Sequence, residues 1–220
     1  MASKREHISA ASRFFHSGFR AWVQTAALFP SSRYLVHALT CQPELPPARA
    51  VVELGPGNGN VTRAILRRMH QDARLYAIEI DGAMVEHIRA TLHDPRLHVI
   101  HGSAAEIPRL VADAGGPPAI DAVISGLGMS LLPPDVRDAV VDGVTDVLGD
   151  DGIFVQFAYL HARAAVWSSA RGFSRFSIRP FLQPHFAHLE RRVITRNLPP
   201  AAVYTCRQPR RPASPGPRAA

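Results

Sequence analysis

Val51-Val52-Glu53-Leu54-Gly55-Pro56-Gly57-Asn58-Gly59-Asn60 reads as a short buried strand that breaks into a glycine-rich turn and enters a helix near Val61. Glycines at 55, 57 and 59 let the backbone approach a ligand closely and take dihedrals that a side chain forbids. Twenty residues after Gly59 a second apolar run, Leu75-Tyr76-Ala77-Ile78, ends in Glu79. That spacing puts a carboxylate at the tip of the adjacent strand, where it can accept both hydroxyls of a ribose. The pattern predicts a cofactor that contains adenosine.

The glycine spacing narrows the choice. A dinucleotide loop reads G-x-G-x-x-G, with a helix N-terminus aimed at a pyrophosphate. Here it is G-x-G-x-G, with Glu53 two residues ahead of Gly55. This resembles motif I of the class I S-adenosylmethionine methyltransferases, E/D-x-G-x-G-x-G. The resemblance implies a loop packed against the methionine part of S-adenosylmethionine, with Glu53 helping to orient its ammonium group. A nicotinamide enzyme and a non-catalytic relic are the competing readings.

The 220 residues suit one domain with a full core and short appendages. Cys41 and Cys206 are too few for a disulfide framework and lack CxxC spacing, so a reduced, cytoplasmic setting is expected. No 18-residue apolar run or signal-peptide layout is present, so neither a membrane span nor secretion is expected. The formal net charge of +7 favours an anionic partner, either nucleic acid or an acidic lipid surface. Lys4 is the only lysine; codon bias accounts for the Arg/Lys ratio but not for the excess of positive charge.

Ile8, Ala11, Phe15, Phe19, Trp22 and Ala26 fall three or four apart and share one helical face. Pro30 ends that run, and Ser31 or Ser32 can cap a second helix through Leu39. Pro43, Pro46 and Pro47 form a linker. Strands are then expected at 50–54, 75–79, 97–101, 121–125 and 153–159, alternating with helices at 61–70, 82–92, 104–113 and 135–148. Two further strands, 185–195 and 203–207, are expected as antiparallel additions at one edge. The whole predicts an α/β fold: a Rossmann-like, seven-stranded, mostly parallel sheet with helices on both faces and an N-terminal amphipathic helical extension. The expected organisation is amphipathic or lid helices over 1–42, a methyltransferase domain over 43–207, and a disordered tail over 208–220.

Within that frame Glu79 is expected on the ribose. Gly102 and Ser103 follow the third strand, where the class meets the adenine amino group, and Ile80 can pack on the adenine face. The backbone of Ser125-Gly126-Leu127 should line the reaction pocket. Enzymes that methylate nucleic-acid amines carry N/D-x-P-Y/F at this point, and its absence argues against a base as acceptor. Asn197-Leu198-Pro199-Pro200 looks like such a motif but precedes the last strand.

A more specific resemblance spans roughly residues 12 to 207. Asn197-Leu198-Pro199-Pro200-Ala201-Ala202-Val203-Tyr204, the Gly57-x-Gly59 loop, Ser125-Gly126-Leu127, Val155-Gln156-Phe157-Ala158-Tyr159 and Phe29-Pro30-Ser31-Ser32 together resemble the bacterial phospholipid N-methyltransferases. That group converts phosphatidylethanolamine stepwise to phosphatidylcholine. The resemblance implies a phospholipid substrate, an anionic membrane surface as partner, and a peripheral position on the inner face of the cytoplasmic membrane. It implies no obligatory protein partner and no nucleic acid. Two departures, Gly128-Met129-Ser130 and the Arg- and aromatic-rich segment from Ala162 to Phe186, lie where substrate should enter.

The first helix suits a membrane, with Phe15, Phe19 and Trp22 in the acyl boundary and Lys4, Arg5, Arg13 and Arg20 on lipid phosphates. The same stripe would also serve as a lid over the cofactor. Arg163, Arg171, Arg175 and Arg179, interleaved with Trp167, Phe173, Phe176 and Phe181, can fork onto a phosphate, form a solvated face, or stack on single-stranded RNA. Methyl transfer to an ammonium requires that a proton leave first. Candidates to accept it are Tyr159, placed first because it ends the fifth strand, then His161, Tyr34 and Ser125. No metal site, paired-acid unit or Ser-His-Asp arrangement is read. The rival functions are an rRNA or tRNA adenine methyltransferase, a small-molecule methyltransferase, and a module that binds cofactor without turnover.

Overall fold

The computed structural model describes residues 32–160, 166–168, 172–174 and 176–211. The amphipathic helix expected over 8–26 and the tail from 212 onward lie outside the described residues. Helix α1, Arg33–Thr40, is capped by Ser32, whose hydroxyl accepts a hydrogen bond from the Leu35 amide. It buries Leu35, Ala38 and Leu39.

Strands and helices then alternate: β1 Ala50–Leu54, α2 Asn60–Leu66, β2 Arg74–Glu79, α3 Gly82–Thr91, β3 Leu97–His101, α4 Ile107–Asp113, β4 Ile120–Ser125, α5 Pro134–Val147 and β5 Leu148–Tyr159. A short hairpin follows, β6 Val166–Ser168 and β7 Gly172–Ser174, then α6 Ile178–Leu182, β8 Phe186–Ile194 and β9 Ala201–Pro209. Seven strands form one sheet in the order β3-β2-β1-β4-β5-β9-β8. The pairings from β3 through β5 are parallel, whereas β5–β9 and β9–β8 are both antiparallel. Both edge additions thus pair as expected, and the consequence is that β9 alone opposes the other six strands.

Every residue of β1 is buried, the mark of a central parallel strand covered on both faces. Its alternate residues feed two layers. Ala50, Val52 and Leu54 pack with Tyr76, Val123, Phe154 and the apolar sides of α4 and α5. Val51 packs on the other face with Leu35, Leu39, Ile65, Ile124 and Val155.

Several boundaries differ from the sequence expectation for local reasons. Helix α2 stops at Leu66 because the Arg68 and Met69 amides both turn back to the Ile65 carbonyl and tighten the last turn. The helix expected over 104–113 splits into a 3-10 turn, Ala104–Glu106, and α4, whose Pro108 sits in the first turn where no amide is needed. Strand β5 starts at Leu148 rather than 153, since Gly149–Gly152 is absorbed by a register shift against β4. Strand β9 begins at Ala201 and runs through Pro209, so Gln208 and Pro209 belong to the sheet.

Candidate active site

The turn from β1 into α2 and the turn leaving β4 touch through their backbones. The Gly126 amide donates to the Leu54 carbonyl at 2.7 Å, and a Cβ at Gly126 would lie 2.6 Å from the Gly55 carbonyl oxygen. Gly55 itself has φ +68°, and a Cβ there would lie 2.7 Å from Leu127 Cδ2. Only glycine serves at either position. Gly57 (φ +53°) and Gly59 (φ +78°) complete the turn, Gly59 as the residue that caps α2.

Glu79 ends β2 and points into this turn. It is 3% exposed, and its Oε2 accepts from the Gly57 amide at 3.1 Å. Its Oε1 accepts from the Ile80 and Asp81 amides at 2.8 and 3.0 Å. Burial raises its pKa above the usual carboxylate range, opposed by those three amides. A cleft opens beside it, lined by Gly55, Glu79, Ile80, Gly102, Ser103 and Leu127, with an apolar wall from Leu132, Val136 and Val140. An apolar cleft that ends in a carboxylate fits a purine nucleoside. The Ser103 hydroxyl also caps the 3-10 turn, accepting from the Ala105 amide.

Glu53 lies behind the loop, 1% exposed. Burial pushes its carboxyl up to about 8, Glu79 adds to the rise, and the Thr62 hydroxyl opposes it. Neither Glu53 Oε2 nor Thr62 Oγ1 completes a hydrogen bond of good geometry among the described residues. A buried carboxyl oxygen without a donor is costly unless a ligand supplies one. A nucleoside that carries an amino-acid ammonium meets that need, so these residues fit S-adenosylmethionine.

Ser125 is fully buried, and its hydroxyl accepts from the Leu127 amide at 3.3 Å. It shapes the turn. Gln156 on β5 enters the sequence reading only as part of the Val155–Tyr159 motif. It is fully buried; its Nε2 donates to the Leu127 carbonyl at 2.8 Å and to the Phe157 carbonyl at 2.7 Å, so it holds the reaction turn from below. A lone polar residue inside an apolar central strand is the signal that could have found it.

The remaining candidates lie on the β5–β9 side. Tyr159 is half-buried at the end of β5, edge-on to Phe157 at 5.2 Å, and burial raises its hydroxyl above the usual range. The Tyr34 hydroxyl accepts from Arg33 Nη2 at 2.9 Å, and that hydrogen bond is the main cause of its lowered pKa. Topology brings the Asn197-Leu198-Pro199-Pro200 turn here as well. Strand β8 runs parallel to β5, so the β8–β9 turn emerges at the ligand end, where the Leu160 amide donates to the Pro200 carbonyl. Asn197 is buried; its Oδ1 accepts from the Ser32 amide at 3.2 Å, and its Nδ2 donates to the Pro199 carbonyl at 2.6 Å.

Arg179 is exposed on α6. A different arginine, Arg137 on α5, is buried with its guanidinium 3.9 Å from the Phe176 ring and 5.6 Å from that of Phe181. It donates to the Leu132 carbonyl, and burial lowers its pKa. It fastens α6 and its approach to the wall of the cofactor cleft. His161, Arg175, Arg13, Phe15, Phe19, Arg20 and Trp22 lie outside the described residues.

The sheet order, the three-glycine turn and the carboxylate at the tip of β2 define the class I methyltransferase architecture. Residues 51–152 match the family model described as a methyltransferase domain. The chain is 29% identical over 197 residues to the ornithine lipid N-methyltransferase of Singulisphaera acidiphila, covering 88% of this chain and 94% of that one. It is 34% identical over 93 residues to the ribosomal RNA small subunit methyltransferase H of Halorhodospira halophila, covering 42% of this chain and 29% of that one. In fold it is similar to the 1,6-didemethyltoxoflavin-N1-methyltransferase of Burkholderia thailandensis, solved with bound S-adenosylhomocysteine. The TM-score is 0.62 at 18% identity, over 94% of this chain and 91% of that one. The chain is a class I S-adenosylmethionine-dependent methyltransferase, and it resembles the lipid N-methyltransferases.

Proposed function

We propose that this enzyme methylates the amine of the phosphatidylethanolamine head group, towards phosphatidylcholine, from a peripheral position on the inner face of the cytoplasmic membrane. The observation that carries the reading is the reach of the similarity. The lipid-modifying relative aligns along 88% of this chain, acceptor half included, whereas the ribosomal RNA relative aligns along 42%. No helix among the described residues is long and apolar enough to cross a membrane, which suits a peripheral enzyme. Since that relative is named for ornithine lipid, an amine-bearing lipid of that kind is the second reading.

Glu79 holds the ribose, Glu53 faces the ammonium, and Gly102 and Ser103 border the base. When bound, S-adenosylmethionine supplies a methyl group on a sulfonium, already a strong electrophile. The chain's task is to align a neutral amine in a dry site. Leu127, Leu132 and Val136 exclude water. The ammonium gives its proton to solvent before the amine enters the dry site; Tyr159, with its phenol shifted upward by burial, stays neutral and orients the amine as a hydrogen-bond acceptor rather than as a strong base.

Incubation with labelled S-adenosylmethionine and phosphatidylethanolamine vesicles tests the proposal. Labelled lipid is expected, and Glu79→Ala should abolish it. Label on ornithine lipid instead selects the second reading. Label on RNA, or no labelled lipid from protein that binds S-adenosylhomocysteine, rejects both.

A further inference from the structure

Among the described residues the exposed large hydrophobic side chains are Leu131 at 56%, Val193 at 43% and Leu198 at 78%. They do not scatter over the surface. Leu131 lies in the turn after β4, Val193 is the next-to-last residue of β8, and Leu198 lies in the β8–β9 turn. Given the strand directions, all three stand at the C-terminal end of the parallel strands, which is the end that holds the cofactor cleft. The polarity of the β8–β9 turn is inverted. Asn197 is buried and spends its amide on the Ser32 amide and the Pro199 carbonyl, while its neighbour Leu198 faces solvent. The turn is thus fastened to the start of α1 by its polar residue and presents its leucine outward.

The charges beside it follow the same plan. Arg49, Arg89, Arg96, Arg109, Arg207 and Arg211 each pair with a carboxylate. Arg33 and Arg196 are exposed and, like Arg67, Arg74, Arg191 and Arg192 among others, pair with no carboxylate among the described residues. The guanidinium groups of Arg33 and Arg196 flank Tyr34 instead, 4.9 and 5.5 Å from its ring. An outward leucine beside unpaired cations suits an anionic leaflet, where the apolar tip enters the head-group boundary and the cations meet phosphate. It suits a nucleic acid poorly, because exposed aliphatic side chains gain nothing from a phosphate backbone.

We infer that Leu198 and Arg196, with Arg33 beside them, form a membrane-docking contact built into the folded domain, with an anionic phospholipid bilayer as its partner. The inference rests on the lipid reading and adds to it the surface through which the acceptor end meets the bilayer. It does not depend on the amphipathic helix expected over 8–26.

The test uses the full chain with sedimented vesicles of phosphatidylcholine alone or with phosphatidylglycerol. Leu198→Asp and Arg196→Glu are compared with wild type; both positions are exposed, and S-adenosylhomocysteine binding checks that each variant is folded. Binding to the anionic vesicles should fall about tenfold in Leu198→Asp and about fivefold in Arg196→Glu. Salt should weaken the wild type more than Arg196→Glu. On vesicle substrate kcat/KM should fall in step with binding, and by more than it falls on detergent-dispersed lipid. Variants that bind anionic vesicles as wild type does overturn the inference. If wild type methylates dispersed lipid while ignoring anionic vesicles, the inference fails and the lipid reading stands. If no lipid is methylated but the variants still lose vesicle binding, the docking surface stands and the substrate reading fails.

Discussion

On the β2–β1–β4 side of the sheet the site is made of backbone. Gly55 and Gly126 are in contact main chain to main chain, and Glu79 is held by three amides. On the β5–β9–β8 side it is made of side chains: Tyr159 against Phe157, Arg33 and Arg196 about Tyr34, Asn197 clamped to Ser32, Arg137 over the Phe176 ring. The first construction tolerates almost no change, because a main-chain contact has no rotamer to yield. The second can be altered piece by piece. A cofactor common to the class belongs on the rigid side, and an acceptor that varies belongs on the adjustable one.

The contrast predicts that one added methyl on the backbone side outweighs the loss of a whole side chain on the other. Gly126→Ala drives a Cβ to 2.6 Å from the Gly55 carbonyl oxygen. It should cost about 1–3 kcal/mol in urea unfolding and weaken S-adenosylhomocysteine at least tenfold by calorimetry. An alanine variant with unaltered affinity would break the comparison at its strongest point.

Glu53→Gln probes the same side through pH. In the folded protein the Glu53 carboxyl holds its proton up to about 8, against 4.5 for the free side chain. Across that window the folded state carries a proton that the unfolded chain has lost. Its contribution to stability is therefore complete below the lower value and lost as pH rises through the upper one, at up to about 1.4 kcal/mol per pH unit. The glutamine variant should show a flatter fall in melting temperature between pH 5 and 8. Cofactor binding by the wild type should tighten over the same range as the carboxylate forms, and the variant should lose that trend. Parallel melting curves for the two proteins would assign the buried acid no such role.

Arg137→Met is the mildest case. It removes the cation from Phe176 and Phe181 while filling similar space. Acceptor KM should rise about fivefold, with S-adenosylhomocysteine affinity changed less than twofold. An equal loss in both would show that α5 serves the two sides as one unit.

The same division decides what could be read from the sequence. Strand β1, the three glycines and Glu79 were legible because each is fixed within a few residues of its neighbours, by burial periodicity, positive φ or the tip of a strand. Gln156 and Arg137 were not, because each acts on a partner far along the chain: Gln156 on Leu127, Arg137 on Phe176 and Phe181. The Asn197–Pro200 turn seemed misplaced by its order along the chain. Only the direction of β8, invisible in a periodicity, carries it to the mouth of the site.

Because β9 runs back against its neighbours, residues 195–200 make a hairpin at the open end of the sheet instead of a long crossover to its far side. Lengthening, shortening or exchanging a hairpin leaves the strands that bear it in place. Substrate range in this scaffold is thereby detachable from the chemistry, and a graft of that single segment from a relative is the smallest change that should redirect the enzyme to a different amine.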